Sequence, residues 1–63
     1  MRIILDAMGG DNAPKEIVRG AAMASLQIDG KILIVGEEKT VSEILKNEKY
    51  DKNKIEIVNA TEV

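Results

Sequence analysis

Three short apolar runs, separated by segments with helical periodicity, constrain the fold of this chain more than any other feature. The runs are RIIL at residues 2–5, KILIV at residues 31–35 and IEIV at residues 55–58. Each run is rich in β-branched residues and is followed by polar residues or glycine, which is the pattern of a β-strand. The sequence therefore predicts a β-α-β-α-β order, which is typical of a parallel sheet in an α/β domain.

The first connecting segment, residues 14–27, is predicted to form an amphipathic helix. Residues on one face recur at helical spacing: Ile17, Val18, Ala21, Ala24, Ser25 and Ile28. Pro14 suits the first turn, because the N–H that proline lacks has no partner there. Asp29 and Gly30 are expected to end this helix and to form the turn that follows.

The second connecting segment contains a helix-start motif. The sequence TVSE at residues 40–43 matches the capping box, in which the threonine hydroxyl and the glutamate carboxylate each accept from the other's backbone N–H. The second helix is therefore predicted to begin at Thr40. Val41, Ile44 and Leu45 give it an apolar stripe.

The pattern of the strands predicts that the sheet is incomplete within these residues. Crossovers between parallel strands are right-handed, so strands added in one direction leave both helices on one face. The runs IIL and ILIV do not alternate, which is typical of strands covered on both faces. The 63 residues contain no segment to cover the second face. We therefore expect residues 1–63 to be the N-terminal fragment of a single larger α/β domain, inactive in isolation.

Composition excludes several classes of protein. The chain is 44% hydrophobic, which is too apolar for intrinsic disorder. The nine basic and eleven acidic residues are interspersed along the chain and form no basic stripe, and the chain has only one aromatic residue. Nucleic-acid binding therefore has no support. There is no cysteine and no histidine, so nothing indicates a disulfide scaffold or a zinc site, and these 63 residues offer no thiol nucleophile and no Ser-His pair. No apolar run approaches the ~20 residues of a membrane span.

The stretch LDAMGGDNAPKEI, residues 5–17, is the best candidate for a binding loop. It follows the first strand, and ligands of open α/β sheets lie beyond the carboxyl ends of the strands. Gly9 and Gly10 permit positive φ and a close approach of backbone amides to a ligand. The first helix directs its partly positive N-terminus into the same space, and Lys15 adds a cation. These features predict a site for an anionic group.

Two carboxylates complicate this interpretation. Asp6 and Asp11 would repel an anion unless they are turned away, protonated or paired with cations. They could orient the loop, accept a hydrogen bond from a ligand or hold a metal; alternatively, Asp6 braces the loop and Asp11 caps the helix. Ala13 is a poor N-cap, which leaves Asn12 or Asp11 for that position, or leaves the amides for a ligand.

Known nucleotide motifs do not match, and other polar residues have simpler explanations. GGDNAP lacks the spacing of G-x-G-x-x-G, and the glycine and lysine at residues 30–31 lack the rest of a phosphate loop. Glu37 and Glu38 are interpreted as a solvated turn that complements the dipole of the second helix. Ser25 and Ser42 are interpreted as helical, structural residues.

The binding-loop sequence is also a recognisable family pattern. DAMGGDNAPKEIVRG at residues 6–20 closely resembles the opening signature of the PlsX family, the bacterial phosphate acyltransferases. ILIVGEE at residues 32–38 and IEIVNATEV at residues 55–63 resemble the second and third strand regions of that family. Asn12 and Asn59 stand where the family often has histidine. Asparagine retains hydrogen-bonding capacity but does not titrate, so neither position can be an essential proton carrier.

The resemblance implies a fold and an activity. The fold would be a three-layer α/β/α arrangement with a parallel sheet, similar to isocitrate and isopropylmalate dehydrogenases. The activity would be transfer of a long-chain acyl group from acyl carrier protein to inorganic phosphate, giving acyl phosphate for phosphatidic acid and phospholipid synthesis. The protein would be a cytoplasmic homodimer, associated peripherally with the inner face of the membrane. No cofactor and no metal are expected.

Combined with the loop chemistry, the resemblance predicts a phosphate- or substrate-binding loop. The predicted loop residues are Asp6, Gly9, Gly10, Asp11, Asn12 and Lys15. No catalytic residue is assigned, and we expect any to lie beyond Val63. Two alternatives remain open from the residues alone: a nucleotide-binding α/β enzyme related to dehydrogenases, and a non-catalytic piece that serves only for association.

Overall fold

A computed structural model describes residues 1–8 and 14–60 and contains the five predicted elements in the predicted order. They are β1 (Arg2–Asp6), α1 (Lys15–Ser25), β2 (Lys31–Gly36), α2 (Glu38–Lys46) and β3 (Ile55–Asn59). The boundaries of the strands and of α1 agree with the sequence prediction to within two residues, whereas the N-cap of α2 is Glu37, three residues before the predicted Thr40.

The strands form one parallel sheet with β2 in the centre, in the order β1-β2-β3. In the first pair, Arg2 lies opposite Lys31 and Asp6 lies opposite Val35. In the second pair, Ile32 lies opposite Ile55 and Gly36 lies opposite Asn59. The predicted parallel α/β arrangement is confirmed, and it brings the carboxyl ends of all three strands to one edge of the sheet.

Both helices pack on the same face of the sheet, as the handedness of the crossovers predicted. The buried core joins this face to the helices and consists of Ala7, Val18, Ala21, Ala22, Ile32, Ile34, Val41 and Leu45. Along β2, Ile32, Ile34 and Gly36 are buried, whereas Leu33 and Val35, on the other face, are half-buried. The small side chains of α1 allow the helix to approach the sheet closely.

The opposite face of the sheet is open among the residues that the structure describes. Ile4 is 67% exposed and Val58 is 39% exposed on this face. Leu33 and Val35 lie between them on the central strand. Parallel sheets are ordinarily covered on both faces. The strands are therefore apolar on a side that these residues leave in contact with solvent.

The end of α1 differs from the prediction. The helix ends at Ser25, where Leu26 N–H donates to Met23 O at 3.2 Å. Asp29 and Gly30 therefore do not stop the helix. Gly30 instead permits a close approach, because a Cβ there would overlap the carbonyl oxygen of Met1. That oxygen accepts the Lys31 N–H at 2.9 Å, which pairs the first residues of β1 and β2.

The predicted start of α2 is wrong. The helix begins at Glu38, its N-cap is Glu37, and Thr40 lies within its first turn. The Thr40 hydroxyl donates to Oε1 of Glu37 at 2.6 Å, so the predicted pairing of Thr40 with Glu43 does not form the cap. The physical reason is a distant acceptor: Oδ1 of Asn59 accepts the Glu38 N–H at 3.0 Å and allows the helix to start earlier.

Candidate functional site

Three segments follow the strands at the carboxyl edge of the sheet, where ligands of α/β proteins bind. They are held together by backbone hydrogen bonds that continue past the strand ends. Ala7 N–H donates to Val35 O at 2.8 Å, and Ala60 N–H donates to Gly36 O at 2.9 Å. The segments after β1 and β3 are therefore both fixed to the central strand, and this edge is the candidate site.

Asp6 ends β1 at this edge and is exposed. Its Oδ1 accepts the N–H of Met8 at 2.9 Å, two residues along the chain. This local bond is the geometry of an Asx turn. It supports the interpretation in which Asp6 braces the loop, and it occupies one carboxylate oxygen with an amide of the protein.

The centre of the predicted loop lies outside the residues that the structure describes. Gly9, Gly10, Asp11 and Asn12 are among the residues that are not described, so their proposed contacts with an anion stay predictions. The prediction that Asp11 or Asn12 occupies the N-cap position of α1 is wrong, because Pro14 occupies it. The described residues of the predicted site are Asp6 and Lys15.

Lys15 is the first residue of α1 and is exposed. Pro14 occupies the N-cap position, one residue before the place that the sequence predicted for it, and its carbonyl accepts the Val18 N–H at 2.9 Å. Lys15 lines an open groove of about 320 Å³ between the two helices, together with Glu43 and Glu48. Two carboxylates beside the lysine make this groove unsuitable for an anion.

The turn between β2 and α2 carries the adjacent acidic residues Glu37 and Glu38. Both are exposed at the N-terminal end of α2, where negative charge is stabilised by the helix dipole. Glu37 also accepts from the hydroxyl of Thr40. This geometry agrees with the interpretation of these residues as a solvated turn.

Asn59 is a residue at this edge that sequence reasoning did not place in the site. It ends β3, and its side chain accepts from the first amide of α2. The partners are 21 residues apart in the chain. The family resemblance and its position at the carboxyl end of a strand both indicated this residue, but its contact with α2 could not be predicted, because that contact depends on the order of the strands in the sheet.

Gly36 brings the segment after β1 into contact with α2. It is buried, and a Cβ at this position would lie 3.3 Å from Cβ of Ala7 and 3.3 Å from Cγ2 of Val41. Both distances are tighter than ordinary van der Waals contact. The absence of a side chain at Gly36 therefore lets the segment after β1 lie directly against the start of α2.

The described part of the chain contains no candidate metal centre. Residues 1–8 and 14–60 contain no cluster of three or more His, Cys, Asp or Glu side chains that could hold a metal ion. Within the same residues, neither helix has the length and apolar character needed to cross a membrane.

Comparison with known proteins shows similarity to one family over the whole chain. The profile of a family described as "Fatty acid synthesis protein" matches residues 1–63. The chain is 51% identical over 63 residues to the phosphate acyltransferase of Dictyoglomus thermophilum and 52% identical over 64 residues to that of Fusobacterium nucleatum. Each of these alignments covers 100% of this chain and 19% of the relative.

More distant relatives carry the same name. The phosphate acyltransferase of Clostridioides difficile is 41% identical over 63 residues, which is 100% of this chain and 18% of that protein. The chain therefore spans about a fifth of the length of the curated relatives that it matches.

Proposed function

The chain belongs to the fatty acid synthesis protein family, as its resemblance to the phosphate acyltransferases predicted, and we propose that it is part of such an enzyme. The proposed reaction is transfer of a long-chain acyl group from acyl carrier protein to inorganic phosphate. Its product, an acyl phosphate, would serve the synthesis of phosphatidic acid and phospholipids.

One observation carries this proposal. Similarity to proteins named phosphate acyltransferase extends over 100% of the chain, including the loop and all three strand ends. Because the chain spans about a fifth of those relatives, the proposed activity is that of the longer protein.

The chemistry of the reaction suits a site built from backbone donors. An oxygen of hydrogen phosphate attacks the thioester carbonyl and a C–O bond forms. The C–S bond breaks, and the sulfur of the carrier leaves as a thiol with the proton that hydrogen phosphate loses. Phosphate is itself the nucleophile, so the enzyme needs no catalytic serine or cysteine. It must hold an anion against the carbonyl and stabilise the developing oxyanion with fixed donors.

The loop after β1 is the proposed place for this anion. Amides at Gly9 and Gly10, together with the N-terminal end of α1, would supply the donors. Asp6 and Asp11 would orient the loop or a partner cation, Asn12 would belong to the same binding loop, and Lys15 would add positive charge. The bond from Met8 to Asp6 supports the role of Asp6 as the brace on which this loop begins.

The open face of the sheet supports the proposal of a larger domain. Residues 1–63 would form the N-terminal part of one three-layer α/β/α domain, with a fold similar to that of isocitrate and isopropylmalate dehydrogenases. Later segments of the longer protein would cover Ile4 and Val58. We further propose that the enzyme is a cytoplasmic homodimer that associates peripherally with the inner face of the membrane.

The test is an assay of the full-length protein for acyl phosphate formed from an acyl carrier protein thioester and phosphate. We expect product only when both substrates are present, and thermal stabilisation of the protein by phosphate. Omission of phosphate and its replacement by sulfate are the controls. If no acyl phosphate formed and NAD or ATP stabilised the protein instead, a nucleotide-binding enzyme would be the better assignment.

A further inference from the structure

Among the described residues, Asn59 makes the side-chain hydrogen bond at the carboxyl edge whose partners lie farthest apart in the sequence, 21 residues. It lies opposite Gly36 in the register of β2 and β3. Its Oδ1 accepts the N–H of Glu38 at 3.0 Å, and the next residue, Ala60, donates its N–H to Gly36 O at 2.9 Å. The end of β3 therefore holds the turn between β2 and α2 by one side-chain and one backbone hydrogen bond.

The side-chain bond satisfies a group that α2 does not satisfy itself. The first amides of a helix have no intrahelical acceptor. The N-cap residue Glu37 makes no side-chain capping bond, and its carboxylate accepts from the Thr40 hydroxyl at 2.6 Å instead. An N-cap side chain ordinarily accepts from the second or third helical amide, whereas Asn59 provides an acceptor for the first, that of Glu38.

The capped turn is also in contact with the segment after β1. A Cβ at Gly36 would be 3.3 Å from Cβ of Ala7 and 3.7 Å from Cγ of Met8. Ala7 is fully buried and is bonded to Val35 O. A shift of the Gly36–Glu38 turn would therefore displace Ala7 and Met8, the residues that precede the proposed phosphate loop.

We propose that Asn59 is a positioning residue for phosphate binding. Its side-chain oxygen holds the first turn of α2 against β3, and through Gly36 this fixes Ala7 and Met8. The inference rests on the proposed function, since it names a residue that supports the same site. Asn59 acts through its neighbours and is not assigned a contact with substrate.

The experiment compares variants of the full-length enzyme by steady-state kinetics and thermal melting. Asn59→Leu keeps the size of the side chain but removes the acceptor, whereas Asn59→Asp retains an acceptor oxygen at a helix N-terminus. We expect Asn59→Leu to raise the KM for phosphate by about tenfold, which corresponds to the loss of one or two ordinary hydrogen bonds. Its kcat should change by less than about threefold, and Asn59→Asp should restore the KM to within about twofold of wild type.

A matched control separates positioning from general loosening of α2. Asn47 lies at the opposite end of the same helix, where its Nδ2 donates to Glu43 O at 3.4 Å. Asn47→Leu should lower the Tm by an amount similar to Asn59→Leu, about 2–4 °C, because each loses one helix-end contact. The KM for phosphate of Asn47→Leu should stay within about twofold of wild type.

Three results would overturn the inference while leaving the proposed function intact. They are an unchanged KM in Asn59→Leu, an equal defect in Asn59→Leu and Asn59→Asp, and an equal rise of the KM in Asn47→Leu. A wild-type enzyme that forms no acyl phosphate would overturn the proposed function, and this inference with it.

Discussion

The Ser25 hydroxyl lies at the buried end of α1 and joins that helix to the segment before β3. It is fully buried, donates to Ala22 O at 2.7 Å and accepts the Asp51 N–H at 3.0 Å. Nearby, Nζ of Lys54 donates to Ile28 O at 2.6 Å. The prediction that Ser25 is structural is confirmed, and its polar atom is satisfied on both sides, as buried hydroxyls require.

Replacing this hydroxyl has a defined expected cost. Ser25→Ala leaves the partly buried Asp51 N–H without its acceptor, so we expect a loss of about 1 kcal/mol after allowing for the better helix propensity of alanine. The measurement is the urea midpoint of the full-length protein. Ser42→Ala, at an exposed position of α2, is the control and should change stability by less than about 0.5 kcal/mol. Equal midpoints for the two variants would contradict this assignment.

The five elements could be predicted from the sequence because their signals are local. Apolar runs, helical periodicity and turn residues each act within a few positions, and the strands and α1 were placed to within two residues. The start of α2 could not be predicted in this way. Its cap is supplied by Asn59, 21 residues further along the chain, and that acceptor exists only once β2 and β3 have paired.

The same distinction between local signals and tertiary contacts applies to the candidate site. Its position at the carboxyl edge, after Asp6, follows from strand order and could be predicted. The bond from Met8 to Asp6 was anticipated only as one alternative. The contribution of Asn59 was missed, because it depends on a tertiary contact rather than on a motif.

Glycines in α1 and before β2 should respond in opposite ways to the same substitution. At Gly30, an alanine Cβ would overlap the carbonyl oxygen of Met1 and disturb its bond to the Lys31 N–H, which we expect to cost about 1–2 kcal/mol. At Gly20, no described atom lies within 4 Å of an added Cβ, and alanine should stabilise the helix by about 0.5–1 kcal/mol. Urea midpoints of the two full-length variants measure this difference. A shift of the same sign in both would refute the explanation.

The sheet face that the described residues leave open is the main feature of the molecule that supports the proposed larger domain. Ile4 and Val58 are exposed on this face, and the half-buried Leu33 and Val35 lie between them. Burial of a large aliphatic side chain contributes about 1.5–3 kcal/mol. The proposed later segments would therefore gain substantial stability by covering this face.

A pair of substitutions tests that proposal. Ile4 is 67% exposed on the open sheet face, and Met23 is 64% exposed on α1, so the structure gives them similar exposure. In the full-length protein we expect Ile4→Asp to cost at least about 3 kcal/mol, because it would bury an unpaired carboxylate, and Met23→Asp to cost less than about 1 kcal/mol. The denaturant midpoint of each variant, multiplied by the slope of its unfolding transition, gives its free energy of unfolding. An Ile4→Asp protein as stable as wild type would mean that the face stays exposed.

The KM for phosphate of the full-length Gly10→Val enzyme is the decisive measurement for the proposed loop. A valine there would keep the backbone amides away from the anion, so the KM should rise by at least about tenfold. Gly20→Val, at a helix position with open space around it, should leave the KM within about twofold of wild type. A Gly10→Val enzyme with the phosphate KM of wild type would show that amides at this glycine pair do not hold the phosphate.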